Sequence, residues 1–253
     1  MRDPYLYDDV DVLRNLGNIR DLDKLRQAEG DVTKHTMAMV YAHEFIKFKT
    51  ETICEIHKII FGNLYEWAGK FRTIPVIKHE EVLGGDTVRY AYPGRLGEQD
   101  GVSRPTSPEQ IKKELEEASK EIVKLNKDEP KQDLLFKLVR IAAKIWQAHP
   151  FREGNTRTVI SFIVLLAAHL KIDIDYNIFE KHAAYVRNAL VWASQGMYSK
   201  YEYLERIFFD AAGLSTIGEE PEKTELKEYT HVEGYYVADH KEQPHTYLEN
   251  NNE

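Results

Sequence analysis

The sequence predicts an all-α fold, a helical bundle with a small β-hairpin flap. Two observations carry that expectation. Apolar residues recur at helical spacing through most of the 253-residue chain. The one stretch with strand texture is short and lies between Trp67 and Pro93. No internal repeat competes with this reading.

The elements follow in order. Residues 21–49 place Leu22, Leu25, Val32, Met39 and Val40 at helical spacing, and 50–61 continue with Ile53, Ile56, Ile59 and Ile60. FRTIPVIK and DTVRYAYP are β-branched and aromatic, with GGD as turn chemistry between them. They predict strands at Thr73–Lys78 and Thr87–Tyr92, within a flap spanning 73–92. Pro75 makes the first of these an edge strand, which leaves backbone groups for an extended peptide to pair with. Ser107-Pro108-Glu109-Gln110 reads as an N-cap with proline at the first helical position, opening a helix of about 18 residues to Asn126. Leu134, Leu135, Leu138, Val139, Ala142, Ile145 and Trp146 form a wide apolar stripe that stops at His149-Pro150, since a residue before proline leaves the helical region. A second buried helix runs from near Asn155 to Leu170, and helices near 177–193 and 199–212 complete a body of residues 1–214. From Ser215 to Glu253 ten acidic residues face three lysines, so this tail reads as extended or disordered with room for one short helix.

The formal charge of -8 argues against a surface built to neutralise nucleic-acid phosphates. The single Cys54 excludes an intramolecular disulfide and fits a reducing compartment. The first residues hold no apolar leader, and no apolar run is long enough to span a bilayer. A cytoplasmic protein without nucleic-acid or membrane partners is the expectation, and secretion into a host cell would leave the same composition.

The junction of the two buried helices, AHPFREGNTR (148–157), concentrates the chemistry. A short loop feeding a helix N-terminus is suited to an anion, because the first amides lack intrahelical acceptors and the dipole favours negative charge. Gly154 lets backbone approach a phosphate, and Arg157 one turn in offers a fork of donors. Glu153 supplies a hard oxygen suited to Mg²⁺, which arrives with substrate phosphates and takes few protein ligands. His149 is a base near neutral pH. The same residues also suit an ordinary corner between two helices with solvated charges. Walker A, G-x-G-x-x-G, H-E-x-x-H and G-x-S-x-G patterns are all missing.

HPFREGNTR at 149–157 closely resembles the signature of the Fic (Fic/Doc) family, H-P-F-x-[DE]-G-N-x-R. Two further segments resemble the family in order: DPYLYDDVDVLRN near the start and YEWAGKFRT at 65–73. The resemblance implies a Fic-type helical bundle with a hairpin flap, and transfer of AMP from ATP to a Ser, Thr or Tyr hydroxyl of a target protein. It implies His149 as general base, Phe151 as the anchor of the loop in the core and Glu153 as the Mg²⁺ ligand. Gly154, Asn155, Thr156 and Arg157 would hold the phosphates. The flap residues Thr73, Ile74, Val76, Thr87 and Val88 would dock the target by strand addition. Tyr185 and Asn188, one helical turn apart, are candidates to stack on and hydrogen-bond the nucleobase.

Two positions depart from the family form H-P-F-x-D-G-N-G-R-x-x-R: Thr156 replaces the second glycine and Ile160 the second arginine. Ile160 cannot bind a γ-phosphate. A Doc-like kinase that transfers the terminal phosphate is therefore the alternative, and a catalytically silent binding module the third reading. Many Fic proteins also resemble one another in an inhibitory helix, [ST]-x-x-x-E-[GN], carried in the chain or on a small partner protein. Glu29-Gly30 and Thr224/Glu228 match it only in part. With Ile160 offering no charge to either glutamate, Glu29 is expected to be a solvated helix residue and neither glutamate to restrain the enzyme strongly unless Arg157 substitutes.

Overall fold

Helices form where the apolar periodicity puts them. The computed structural model describes residues 3–74, 106–194 and 199–214, with the backbone of four two-residue strands at 80–81, 87–88, 231–232 and 235–236. Its helices are α1 (Leu22–Ala42), α2 (Thr50–Phe61), α3 (Ile111–Ile122), α4 (Lys131–Ala148), α5 (Asn155–His169), α6 (Tyr176–Lys181), α7 (Ala183–Ala193) and α8 (Glu202–Ala211). α1 begins at Asp21, whose carboxylate accepts the Lys24 N–H at 2.9 Å, and α6 begins in the same way at Asp175. α4 follows Pro130 and ends at His149, which takes a left-handed backbone (φ 45, ψ 60) just before Pro150.

α5 lies at the centre. It packs on α4, α2 and α1, and Val159, Ile160, Phe162, Ile163 and Leu166 are all buried. A helix apolar on most of its circumference belongs inside. α4 buries Leu134, Leu135, Leu138, Ile145 and Trp146 and touches α3, α5, α7 and α8. Among the described residues, no helix is long and apolar enough to cross a membrane.

Several boundaries differ from expectation. α1 stops at Ala42, and residues 43–49 form a loop. The helix expected from Ser107 to Asn126 is a 3₁₀ turn at Pro108–Gln110 followed by the shorter α3, and the one expected at 177–193 is broken at His182. Backbone pairing joins Glu80 to Val88 and Glu81 to Thr87 in antiparallel register, while Thr73 and Ile74 form a bend instead of a strand. Their backbone groups are taken by side chains: Arg72 Nη1 donates to Ile74 O at 2.7 Å, and Thr73 N–H donates to the Tyr5 hydroxyl at 3.1 Å. Val76, with the rest of the expected strand at 75–78, lies outside the described residues. So does the tail apart from the pairing of His231–Val232 with Tyr235–Tyr236, and with it Thr224 and Glu228.

The N-terminal segment has no helix, yet it reaches the core. Asp3 accepts two bonds from Arg152, at 2.9 Å from Nε and 2.7 Å from Nη2. Both side chains are buried, at 0% and 2% exposure. Removing one partner of a buried pair strands the other charge. Asp3→Ala is therefore expected to cost about 3–5 kcal/mol in urea unfolding. Asp8→Ala, which breaks an exposed pair with Arg14, should cost under about 1 kcal/mol.

Candidate active site

The loop from His149 to Gly154 joins α4 to α5 inside the protein, so its polar backbone groups need partners. They come from α2, from α5 itself and from Arg72. Arg72 Nε donates to His149 O at 2.6 Å, and Arg72 N–H to Pro150 O at 2.8 Å. The Asn155 side chain closes on Phe151 twice, accepting from its N–H at 2.9 Å and donating to its carbonyl at 2.8 Å. His57, on α2, takes Glu153 O at 3.0 Å. Thr158 Oγ1 donates to Gly154 O at 2.9 Å.

His57 has a defined tautomer. Gly69 N–H donates to its Nδ1 at 2.8 Å. Burial, ahead of the opposing bond to Glu153 O, pulls the ring down to about 4. The neutral ring therefore carries its proton on Nε2 and gives it to Glu153 O. It also stacks on Phe151, centroids 3.8 Å apart. Phe151 itself is fully buried, which makes it the core anchor of the loop.

Gly154 has φ +79, and a Cβ built there would stand 2.2 Å from Cε2 of the buried Phe61 ring. The sequence suggested glycine for close approach to a phosphate; helix packing demands it as well. α5 then starts with no side-chain cap and no acid in its first turn, where Arg157 stands instead. A cation at a helix N-terminus opposes the dipole. Uncapped amides beside an arginine form a socket for an anion.

The remaining groups surround that turn. The Glu153 carboxylate accepts the Gly154 N–H at 3.0 Å. Thr156 Oγ1 accepts from Trp146 Nε1 at 3.0 Å, so its hydroxyl is held toward α4. The His149 ring is fully buried and meets the Trp146 indole edge-on at 5.4 Å. Tyr185 and Asn188 lie on α7, both buried. The Tyr185 hydroxyl donates to Tyr203 O at 3.0 Å, while the Asn188 amide has no hydrogen-bond partner among the described residues.

Glu29 corrects the sequence reading. Its side chain is only 16% exposed and forms an ion pair with Arg157. Tyr65 donates its hydroxyl to the other carboxylate oxygen at 2.7 Å. Burial, then the charge of Glu29, push the tyrosine up, so it stays a donor. Arg157 also donates to Thr33 Oγ1 at 3.2 Å and lies over the Phe61 ring at 4.8 Å. A solvated glutamate was expected because Ile160 has no charge; the first arginine of the motif takes that place.

The sequence brought His149, Phe151, Glu153, Gly154, Asn155, Thr156 and Arg157 together because they are contiguous. It gave Glu29 the wrong environment and missed Asp3, His57, Tyr65 and Arg72. The signal available was that Asp3 heads the DPYLY segment, while Tyr65 and Arg72 lie inside YEWAGKFRT, segments singled out without a role for each residue.

Residues 47–167 match the family model described as Fic/DOC family, and the chain carries a Fic/DOC family domain there. It is 28% identical over 187 residues to the protein adenylyltransferase VbhT of Bartonella schoenbuchensis, a match covering 71% of this chain and 34% of that protein. The chain thus spans about a third of the length of that relative. It is 27% identical to the probable protein adenylyltransferase Fic of Escherichia coli, covering 72% of this chain and 80% of that one. Among solved structures, BepC of Bartonella tribocorum with bound AMPPNP superposes with TM-score 0.65 at 24% identity, over 82% of this chain and 95% of that one. The Fic domain of a Bartonella quintana effector with bound ADP gives 0.66 at 23%, over 82% and 93%. The fold is the helical Fic fold.

The glycine constraint is directly testable. Gly154→Ala combines a strained backbone with a clash against Phe61 and should lower stability by at least about 2 kcal/mol. Phe61→Leu in the same chain should recover part of that loss in a double-mutant cycle on urea unfolding.

Proposed function

We propose that this chain transfers AMP from ATP to a hydroxyl of a target protein, and to hydroxyls of its own. The observation that carries this reading is the uncapped first turn of α5, with Arg157 in it and His149 and Glu153 in the loop that feeds it. The His149 ring takes the proton of the attacking hydroxyl as its oxygen bonds to the α-phosphorus. The bond from that phosphorus to the oxygen bearing the β-phosphate breaks, and pyrophosphate leaves. The backbone amides of Asn155 and Thr156 and the Arg157 guanidinium bear the growing charge. Asn155 acts through its backbone, because its side-chain amide is bound to Phe151.

Mg²⁺ fits this site in the way it binds nucleotides. Among the described residues no three candidate ligands cluster, but one partly exposed carboxylate beside a helix N-terminus suits a cation that arrives on phosphates. Glu153 would hold it, and the ion supplies neutralisation of phosphate charge. Asn188, whose buried amide lacks a partner, is assigned the nucleobase edge and Tyr185 the neighbouring face. Target docking is assigned to the 73–92 segment, in which 80–81 pairs with 87–88. A reaction that consumes ATP belongs in a cytoplasm.

A second reading, transfer of the terminal phosphate, is favoured by Ile160, which is 3% exposed in the core and leaves the γ-phosphate without its arginine. Incubation with α-labelled and, separately, γ-labelled ATP separates the two. Label from the α-position is expected, lowered about 10²- to 10⁴-fold by His149→Ala. Label from the γ-position alone would establish the kinase.

The pairing of Glu29 with Arg157 makes Glu29 a competitor of the phosphates for one guanidinium. Glu29→Gly is expected to raise auto-modification by at least about tenfold, equal to about 1.4 kcal/mol. Unchanged labelling would show the pair to be structural only.

A further inference from the structure

The block YEWAGKFRT carries, one position before its end, a residue that the proposed chemistry leaves unused. Arg72 is 2% exposed, yet its guanidinium reaches carbonyls on three separate stretches of chain. Nε donates to His149 O at 2.6 Å. Nη1 donates to Ile74 O at 2.7 Å. Nη2 donates to Thr106 O and, at 3.4 Å, to Ala148 O. The Arg72 backbone N–H adds Pro150 O at 2.8 Å. Thr106 N–H closes the group on Gln147 O at 3.5 Å.

His149 is a non-glycine residue held at φ 45. Side chains rarely adopt that conformation unless their surroundings impose it. In an imidazole whose backbone is left-handed, the direction of the ring follows from the peptide plane, and Arg72 grips that plane by the carbonyls on both sides of His149. A planar fork with five donors can bind acceptors in several directions at once. A lysine ammonium offers its donors from one point and cannot span from His149 O to Thr106 O.

We propose that Arg72 is the positioning residue for His149: it fixes the left-handed backbone that aims the ring and ties that backbone to Ile74 and Thr106. The inference rests on the adenylyl-transfer reading only for its kinetic test. The Arg72 hydrogen bonds described above go to positions 74, 106, 148, 149 and 150, all outside the first turn of α5, so its loss should impair turnover and spare nucleotide binding.

The experiment compares the full chain with its Arg72→Lys and Arg72→Gln variants. Auto-modification with α-labelled ATP is expected to show kcat reduced at least about 100-fold in both, with KM for ATP within about threefold of wild type. Calorimetry with AMPPNP is expected to give an unchanged Kd. Native-state hydrogen exchange on the wild type alone supplies a test free of mutation and of catalysis: the Arg72 and His149 amides should open together, with one denaturant dependence. Arg72→Lys holding kcat within about threefold, KM rising in step with the fall in kcat, or separate opening of the two amides would each overturn the proposal. If the wild type incorporates no label, adenylyl transfer fails while the exchange result still decides the role of Arg72. If the variants do not fold, the wild-type exchange decides alone.

Discussion

A buried turn must have donors for its carbonyls, and the loop from His149 to Gly154 meets that requirement with groups drawn from across the chain. Arg72 serves His149 and Pro150, Asn155 serves Phe151, His57 serves Glu153 and Thr158 serves Gly154. Desolvated carbonyls without such partners would each cost on the order of 1–3 kcal/mol. The packing of α2 against α5 and the course of the chain at 72–74 are in this sense conditions for the loop to exist. The start of α5 is placed by the same loop, whose last residue, Gly154, is its N-cap.

The same geometry explains why polar residues in the motif divide into two kinds. The amide of Asn155 and the hydroxyls of Thr156 and Thr158 are committed to the protein itself. Arg157 is held by Glu29 and Thr33, contacts that a phosphate would take over in the proposed reaction. A rigid frame around an exchangeable arginine binds an anion without rebuilding the backbone, which keeps the reorganisation cost low.

What the sequence made legible is local. His-Pro ends one helix and Gly-Asn opens the next through backbone rules that act within a few residues, so the junction and its contiguous groups could be placed by reading. The bend at Thr73 could not, because a side chain remote in sequence takes its amide. Tyr5, 68 positions away, occupies the amide of Thr73. Asp3 and Arg152 are separated by 149 positions and Glu29 and Arg157 by 128. Periodicity carries no information about such pairs. The reading of Glu29 turned on whether Arg157 could stand in for position 160; spacing does not decide that, and the fold pairs the two.

Ile160 shows how a departure from a motif becomes entrenched. Its side chain belongs to the hydrophobic core, on a helix whose neighbours Val159, Phe162 and Ile163 are also buried. An arginine placed there would carry its charge into a region with no water, and its stem would need volume that packed residues already fill. Ile160→Arg alone would therefore be strained, since the packed neighbours would have to yield to admit it. The packing of α5 thus leaves Arg157, of positions 157 and 160, as the one that carries a guanidinium at this end of the helix.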